Sequence, residues 1–412
     1  MAGPALSGLS TKKSAETEVM MPQVAQTFAA GQRDIVLGYL AIARRVLPEL
    51  ASVFGTTIAV EKPHPNIIAL EMPPIGKALI RRRAMFFMRK FYFGSDSREH
   101  DFAARMSAGI ARGGWDCVSL DPTFIGREWV SRTGGHLFEL VQDGDIDVVI
   151  IDFCGLVLAP SALIDFINLC RRFRPQMRIV LIHFDPWQKQ TWTTTAMLGA
   201  QADLVWSHFP SQDIWQAPGL SGQVSFAPFP VGIGLEEFPS IPRRPINVFQ
   251  GAVETYNASR AFWLASLEKS GSPIQVRLTG HGDDGKPPLD SYRDYLRGFL
   301  DCQCLVNFSM RQDGSRIITG RTFEAIHAGT CLIQEQADDV EYYFRPGEHF
   351  LSFSTLTELQ DLLVYVAENP GYAAQIARQG QSYFRDRYDD SLLVAHLEQR
   401  LFGAPLSATG AS

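Results

Sequence analysis

Segments with a strand-like pattern of apolar residues alternate with segments of helical period along most of the chain, as in an α/β protein. Short apolar runs predict strands over 84–93, 115–120, 146–151, 178–182, 202–206 and 223–227, and amphipathic segments predict helices over 97–112 and 161–173. The run at 146–151, mostly valine and isoleucine, is typical of a parallel strand buried on both faces. Because crossovers between parallel strands are right-handed, this alternation predicts a doubly wound sheet.

A proline-rich connection separates this half from a second one of the same kind. Five prolines fall between 228 and 245, after which strands are expected over 246–250, 274–279, 304–308 and 330–334. Helices are expected over 259–270, 291–300, 321–328 and 355–368, the last with a capping box of Thr355 and Glu358 and a stop before Pro370. We therefore predict two Rossmann-like domains that face an interdomain cleft, where ligands commonly bind.

The chain divides into four segments on this interpretation. Residues 1–30 are rich in Ala, Ser, Thr and Gln without a sustained period, which predicts a flexible extension. The N-terminal Rossmann-like domain covers 31–240 and starts with a helix over 34–54 that Pro48 breaks. The C-terminal domain covers 241–387. Residues 388–412 supply a helix over 392–401 that returns to the first domain, followed by a tail.

Composition narrows the class of protein. The chain has 412 residues, 46% of them hydrophobic and 11% aromatic, which excludes a largely disordered protein. A net charge of −6 argues against a dedicated nucleic-acid binder. We find neither a membrane-spanning apolar run nor a signal peptide, and the six scattered cysteines are expected to be free thiols, so we expect a cytoplasmic protein.

A polar loop after the strand at 304–308 holds the strongest candidate site. The loop contains Arg311, Ser315 and Arg316, and Thr319 and Gly320 then open a helix. The first N–H groups of a helix have no intrahelical partner and carry about half a positive charge, so helix N-termini bind anions. The pattern therefore predicts a phosphate site at this loop.

Arg321 and Glu324 lie three residues apart, so they can share one face of that helix. A carboxylate beside a phosphate site is repelled unless it accepts hydrogen bonds from something else, such as ribose hydroxyls. Together the arginines and Glu324 fit a nucleoside diphosphate. The alternative is an exposed ion pair that contributes little to stability.

The segment resembles the C-terminal domain of group-1 glycosyltransferases, specifically their spore-maturation-protein-like branch. The motif positions are Arg321, Phe323, Glu324, Ala325, Ala328, Gly329, Phe344, Pro346, Gly347 and Glu348. The resemblance spans 246–385 and includes Phe249, Gly251, Tyr256 and Arg260 upstream and Ile376 and Gly380 downstream.

This resemblance implies the GT-B fold, a nucleotide-sugar donor held by the C-terminal domain and an acceptor held mainly by the N-terminal one. Gly251 corresponds to the turn that opens the donor domain. Arg260, Arg311 and Arg321 would bind the phosphates and Glu324 the ribose. GT-B enzymes typically need no metal, and the chain has no Asp-x-Asp in a metal-binding context.

One position departs from the family pattern. Many retaining relatives carry two glutamates with seven residues between them, and Glu324 matches the second. The first would fall at position 316, which is Arg316 here, so retention or inversion of configuration stays open. Glu335, just past the next strand, could face the cleft instead or be a solvated loop residue.

Candidate catalytic residues end the strands of the N-terminal domain. Asp152 follows one strand, and His183 and Asp185 follow the next. Open α/β sheets place their sites at the carboxyl ends of strands, and a base there could take the proton of an attacking acceptor hydroxyl. Alternatively, Asp152 caps a turn and His183 is a core residue. His100, after a glycine loop that lacks a full GxGxxG, is a weaker candidate on the acceptor side.

Basic residues at 81–83 and 89–90 flank an apolar run. They could meet anionic lipid if the acceptor is lipid-linked, or they form a solvated basic edge.

The sequence thus predicts a glycosyltransferase that uses a nucleotide-sugar donor and an acceptor that is a glycan, a lipid-linked glycan, a protein or a small molecule. Two alternatives stay open: a sugar-nucleotide epimerase or hydrolase of the same fold, and a catalytically silent scaffold protein. The base, the sugar and the oligomeric state are not indicated.

Overall fold

The computed structural model describes residues 81–87, 102–120, 138–139, 141–142, 145–152, 160–183, 192–216, 220, 224–231, 242–251, 253, 258–278, 292–311 and 314–403. The predicted helix over 34–54 and the positions His100 and Asp185 lie outside these residues. Each of the two parallel sheets is built from one half of the described chain.

The first sheet has six strands in the order β2-β1-β3-β4-β5-β6. The strands are β1 Arg83–Phe87, β2 Asp116–Leu120, β3 Val148–Asp152, β4 Arg178–His183, β5 Leu204–Ser207 and β6 Val224–Phe226. The described α-helices of this half include α1 Phe102–Arg112, α2 Pro160–Phe173 and α3 Trp192–Gly199.

The second sheet has five strands in the order β11-β10-β9-β7-β8. They are β7 Arg244–Gly251, β8 Gln275–Leu278, β9 Cys302–Asn307, β10 Cys331–Glu335 and β11 Leu351–Phe353. The accompanying helices are α4 Ala258–Lys269, α5 Tyr292–Leu300, α6 Gly320–His327, α7 Asp338–Tyr343, α8 Leu356–Glu368, α9 Pro370–Tyr388 and α10 Asp390–Phe402.

Burial on both faces explains the apolar strands. Every residue of β3 is buried. Val149 and Ile151 pack into the core on one face of the first sheet, and Val148 and Ile150 pack into the core on the other. Since successive strand residues point to opposite faces, a strand covered on both sides must be apolar throughout. This confirms the predicted doubly wound architecture.

Several element boundaries differ from the prediction. Strand β7 starts at Arg244, two residues early, and its pairing with β9 is irregular between Arg244 and Asn247. A proline cannot donate to a strand ladder, and the irregularity accommodates Pro245. The short elements α7 and β11 were not predicted. Pro370 ends one helix as expected but also opens α9, because proline is well tolerated in the first turn.

The capping box of α8 is confirmed. The backbone N–H of Glu358 donates to the Thr355 hydroxyl, and the Thr355 backbone N–H donates to the Glu358 carboxylate, both at 3.2 Å. These bonds satisfy helix N–H groups that otherwise lack an intrahelical partner.

The last helix packs on the first half of the chain. Leu393, Val394 and Leu397 of α10 join the core that contains Ala84 and Phe86 of β1. A side chain at Gly113 would collide with Val394 at 2.2 Å, so the loop after α1 needs glycine there. Helix α10 therefore packs against the first sheet.

The basic run before β1 contacts acidic residues of the same half and of α10. Arg81 donates to Asp116 at 2.6 Å, and Arg82 donates to Glu398 at 3.0 Å. These pairs favour the solvated basic edge over a lipid contact. No helix in the described ranges is both long enough and apolar enough to span a membrane.

Candidate functional site

Polar side chains are buried where the middle strands of the second sheet end. Asn307 closes β9 and lies directly beside Gln334 of β10, and neither is exposed. The Asn307 amide donates to Gln334 Oε1 at 2.8 Å and to the Thr319 hydroxyl at 2.9 Å. Buried polar groups lower the stability of a protein unless they are hydrogen-bonded, and these side chains satisfy one another.

Arg321 is held by this cluster. Its Nη1 donates to Asn307 Oδ1 at 3.0 Å and its Nε donates to the Tyr295 hydroxyl at 3.1 Å. A Cβ atom at Gly251 would lie 2.5 Å from Arg321 Nη2. Gly251 therefore serves this arginine as a close-approach position at the end of β7.

Arg260 and Arg321 lie near the same aromatic ring. The guanidinium carbons of Arg260 and Arg321 lie 5.6 and 5.8 Å from the ring centroid of Phe249. Arg260 is only 6% exposed. The two guanidiniums place positive charge near the end of β7, where it would attract an anion.

In the loop that carries the other predicted arginine positions, the described residues 309–311 and 314–317 pair as a hairpin, here named the 309–317 hairpin. Met310 and Arg316 form an antiparallel bridge, and Arg311 N–H donates to the Ser315 carbonyl at 2.8 Å. Gly314 turns with φ of +82°, a conformation that favours glycine. Arg311, Ser315 and Arg316 are thus placed together beside the end of β9.

Glu335 anchors that hairpin. One carboxylate oxygen accepts the backbone N–H groups of Ser309 at 2.7 Å and Met310 at 2.9 Å. The side chain is buried, 1% exposed, and among the described residues its other oxygen, Oε1, has no hydrogen-bond partner. Of the two sequence-based alternatives, the solvated loop residue is wrong, since Glu335 is the buried end of β10.

The N-terminus of α6 has no side-chain cap. Thr319 occupies the N-cap position, but its hydroxyl takes the Asn307 amide rather than a helix N–H. Glu324, one turn in, is 6% exposed, and its Oε1 would lie 3.9 Å from a Cβ at Gly320. The alternative of an exposed Arg321–Glu324 pair does not describe this buried carboxylate.

The N-terminal candidates line up at the carboxyl ends of adjacent strands. Asp152 of β3 pairs in register with Ile182, next to His183 at the end of β4. Asp152 is 1% exposed and His183 is fully buried, with its ring edge-to-face against Trp215 at 5.4 Å. Burial lowers the pKa of His183 to about 4, so the imidazole is neutral at pH 7.

His208, which follows β5, contacts residues of both halves of the chain. Its ring lies 4.6 Å from the ring of Phe229 and 5.6 Å from that of Phe323 in α6. Burial lowers the pKa of His208 to about 3. The helix that carries Arg321 and Glu324 therefore packs against the carboxyl edge of the first sheet.

Sequence reasoning missed the residues that hold Arg321 in place, namely Asn307, Gln334 and Tyr295. The available signal was that Asn307 and Gln334 are polar residues that end apolar strands. In the described part of the chain, no group of three or more His, Cys, Asp or Glu side chains is arranged to hold a metal ion.

Comparison with known proteins agrees with this arrangement. Residues 260–398 match the family described as Glycosyl transferase-like. No curated protein matches the chain by sequence.

Solved structures show the fold. Anabaena Alr3699/HepE in complex with UDP and glucose has a TM-score of 0.56 at 11% identity, covering 78% of this chain and 99% of that one. An α-glucosyltransferase in complex with UDP-glucose and DNA has a TM-score of 0.54 at 11% identity, covering 78% and 100%. Sucrose-phosphate synthase from Thermosynechococcus elongatus has a TM-score of 0.50 at 10% identity, covering 79% and 100%.

The fold is GT-B. Identities near 11% extend the likeness to architecture alone.

Proposed function

We propose that this protein is a glycosyltransferase that moves a sugar from a nucleoside diphosphate donor to an acceptor hydroxyl or similar nucleophile. The observation that carries the proposal is the convergence of Arg260 and Arg321 on Phe249, beside the uncapped N-terminus of α6. Two guanidiniums and a helix N-terminus together suit a diphosphate. The family match over 260–398 covers this region and favours transfer over the epimerase and scaffold alternatives.

The proposal assigns a role to each group. In this proposal the C-terminal domain, 241–387, binds the donor, with its phosphates on the arginines and its ribose hydroxyls on Glu324. Arg311, Ser315 and Arg316 approach the phosphates or the sugar from the 309–317 hairpin. The N-terminal domain, 31–240, binds the acceptor, with His100 on that side.

The reaction is a substitution at the anomeric carbon. An acceptor oxygen attacks that carbon, the bond from carbon to the phosphate oxygen breaks, and the nucleoside diphosphate leaves. We propose that Asp185, His183 or Asp152 takes the acceptor proton. The arginines and the α6 N-terminus stabilise the negative charge that develops on the leaving diphosphate, so the proposal needs no metal cofactor.

A binding measurement tests the donor site first. Thermal shifts would be recorded with UDP, GDP, ADP, CDP and dTDP, beginning with UDP because UDP is bound in the solved structure of HepE. A ligand at 100 times its Kd adds about 2.7 kcal/mol to the free energy of unfolding. We expect one of these nucleoside diphosphates to stabilise the wild type and the control Arg345→Ala, but not Arg321→Ala.

Arg345 is a suitable control because it lies in the same half of the chain with its side chain 73% exposed. Release of the same nucleoside diphosphate from a matching sugar donor, in the presence of candidate acceptors, then tests turnover. If no nucleoside diphosphate stabilises the wild type, the proposed donor site is wrong.

A further inference from the structure

We propose that Asn307 is a positioning residue that aims Arg321 at the donor diphosphate. The proposal rests on the proposed function for the identity of the ligand, but its geometry does not depend on it. Asn307 is fully buried at the end of β9, and its Oδ1 accepts from Arg321 Nη1 at 3.0 Å.

The direction of the Asn307 amide is determined by its neighbours. Gln334 Nε2 donates to the backbone carbonyl of Glu335 at 2.8 Å and to the Ser309 hydroxyl at 2.6 Å. A backbone carbonyl can only accept, so the NH₂ group of Gln334 must face it and Gln334 Oε1 must face Asn307. Asn307 Nδ2 donates to that Oε1 at 2.8 Å.

The same logic continues to the arginine. With its NH₂ group facing Gln334, Asn307 has only its carbonyl oxygen left for Arg321, and a guanidinium can only donate. Reversing either amide would put two donors or two acceptors face to face. A chain of bonds therefore runs from the Glu335 carbonyl through Gln334 and Asn307 to Arg321, and every member has one allowed orientation.

The guanidinium is planar, so two bonds determine its direction. Nε donates to Tyr295 and Nη1 donates to Asn307. Nη2 has no hydrogen-bond partner among the described residues and lies against Gly251, 2.5 Å from where a Cβ would stand. Nη2 is thus the group of Arg321 that Asn307 and Tyr295 leave available to an anion.

A double-mutant cycle on Asn307 and Arg321 tests this role. The probe is inorganic pyrophosphate, with binding measured by calorimetry and the donor turnover of the same variants measured separately. We expect Arg321→Ala to weaken pyrophosphate at least tenfold and Asn307→Ala to weaken it several-fold. In the Arg321→Ala background, Asn307→Ala should change the affinity less than about twofold, because residues that act through one another are not additive.

Two further variants separate positioning from folding. Thr322→Val removes a hydroxyl that donates to Gln334 Oε1 at 3.0 Å and accepts from the Asn307 amide at 3.3 Å. The hydrogen bond that Arg321 donates to Asn307 is kept. This variant should therefore lower the stability of the protein but keep its affinity for pyrophosphate. Asn307→Asp keeps the volume if Asn307→Ala fails to fold. It should also weaken pyrophosphate, because the added carboxylate charge neutralises Arg321.

The outcomes distinguish the two proposals. Coupled losses of pyrophosphate binding without sugar transfer would support the positioning role and reject the transferase. Transfer activity with additive effects of Asn307 and Arg321 would support the transferase and overturn the positioning role. A wild type that binds no pyrophosphate also overturns it.

Discussion

Ser211 donates its backbone N–H to the Asp339 carboxylate at 2.8 Å, which ties the loop after β5 to helix α7 of the second half. Asp339 is fully buried, and its Oδ2 has no hydrogen-bond partner among the described residues. Burial raises the pKa of Asp339 to about 6. This link between the halves therefore carries a carboxylate that is costly to keep charged.

The stability of the protein should respond to this group. The folded pKa lies above the unfolded value of 3.8, so the folded state binds the extra proton between about pH 6 and pH 4. The destabilisation due to Asp339 is thus complete above about pH 6 and disappears as the pH falls toward 4. Asp339→Asn should gain stability relative to wild type at pH 7.5, by roughly 2–3 kcal/mol at most.

Urea unfolding of both proteins at pH 7.5, 6.0 and 4.5 measures this difference. The amide that replaces the carboxylate still offers an oxygen to the backbone N–H of Ser211, so the link between the halves is kept. A difference between the two proteins that does not change with pH would contradict the assignment.

Most of the fold could be predicted because the strands are continuous apolar runs. Val148 to Ile151 are all buried, so period and composition identify them without tertiary information. The short helix α7 and the three-residue strand β11 gave no comparable signal, because six and three residues are too few to show a period.

The candidate site was predictable only in part. Arg321 and Glu324 could be found because they sit in a motif at the start of a helix. The orientation of Arg321 depends on Asn307 and Tyr295, which are distant in sequence and meet only in the folded sheet. Likewise, the family pattern predicted that Gly251 opens the donor domain but did not indicate its close approach to Arg321.

Gly251→Ala should weaken nucleotide binding. The new methyl group would lie 2.5 Å from Arg321 Nη2, so the guanidinium must leave its position over Phe249. We expect at least a tenfold loss of affinity for the nucleoside diphosphate that stabilises the wild type, measured by calorimetry. Gly371→Ala is the matched control, because a Cβ there meets nothing within 4 Å. Equal affinities in the two variants would reject the close-approach role.

Glu324→Gln should affect the ribose contact specifically. The buried carboxylate is proposed to accept hydrogen bonds from ribose hydroxyls, and a bond to a charged group contributes about 1.5–3 kcal/mol. The variant should bind the nucleoside diphosphate at least about tenfold more weakly than the wild type does. Its affinity for the 2′,3′-dideoxy analogue, which lacks the ribose hydroxyls, should equal that of the wild type. Glu348→Gln, on an exposed side chain, should behave as wild type with both ligands. An equal loss for both ligands would argue against the ribose contact.

Thr355→Ala should cost stability without affecting the site. The variant removes the hydroxyl that accepts from the Glu358 N–H, and loss of such a cap costs about 1 kcal/mol. Thermal unfolding would show a lower Tm, and nucleotide affinity would stay unchanged. Thr355→Ser keeps the hydroxyl and should restore the Tm. A Tm for Thr355→Ser as low as for Thr355→Ala would mean that the cap is not the cause.

Buried histidines should make the protein sensitive to acid. Burial lowers the pKa of His183 and His396 to about 4 and that of His208 to about 3, below the ordinary 6.5. The unfolded chain then binds protons that the folded state does not, so stability falls as the pH drops from about 6.5 toward 4. This trend opposes that of Asp339 in the same window, and with three groups against one it should dominate. Urea unfolding of Asp339→Asn, which lacks the opposing carboxylate, should therefore show stability that falls as the pH drops from about 6.5 toward 4; a stability that does not fall over this range would mean that these histidines are protonated in the folded protein.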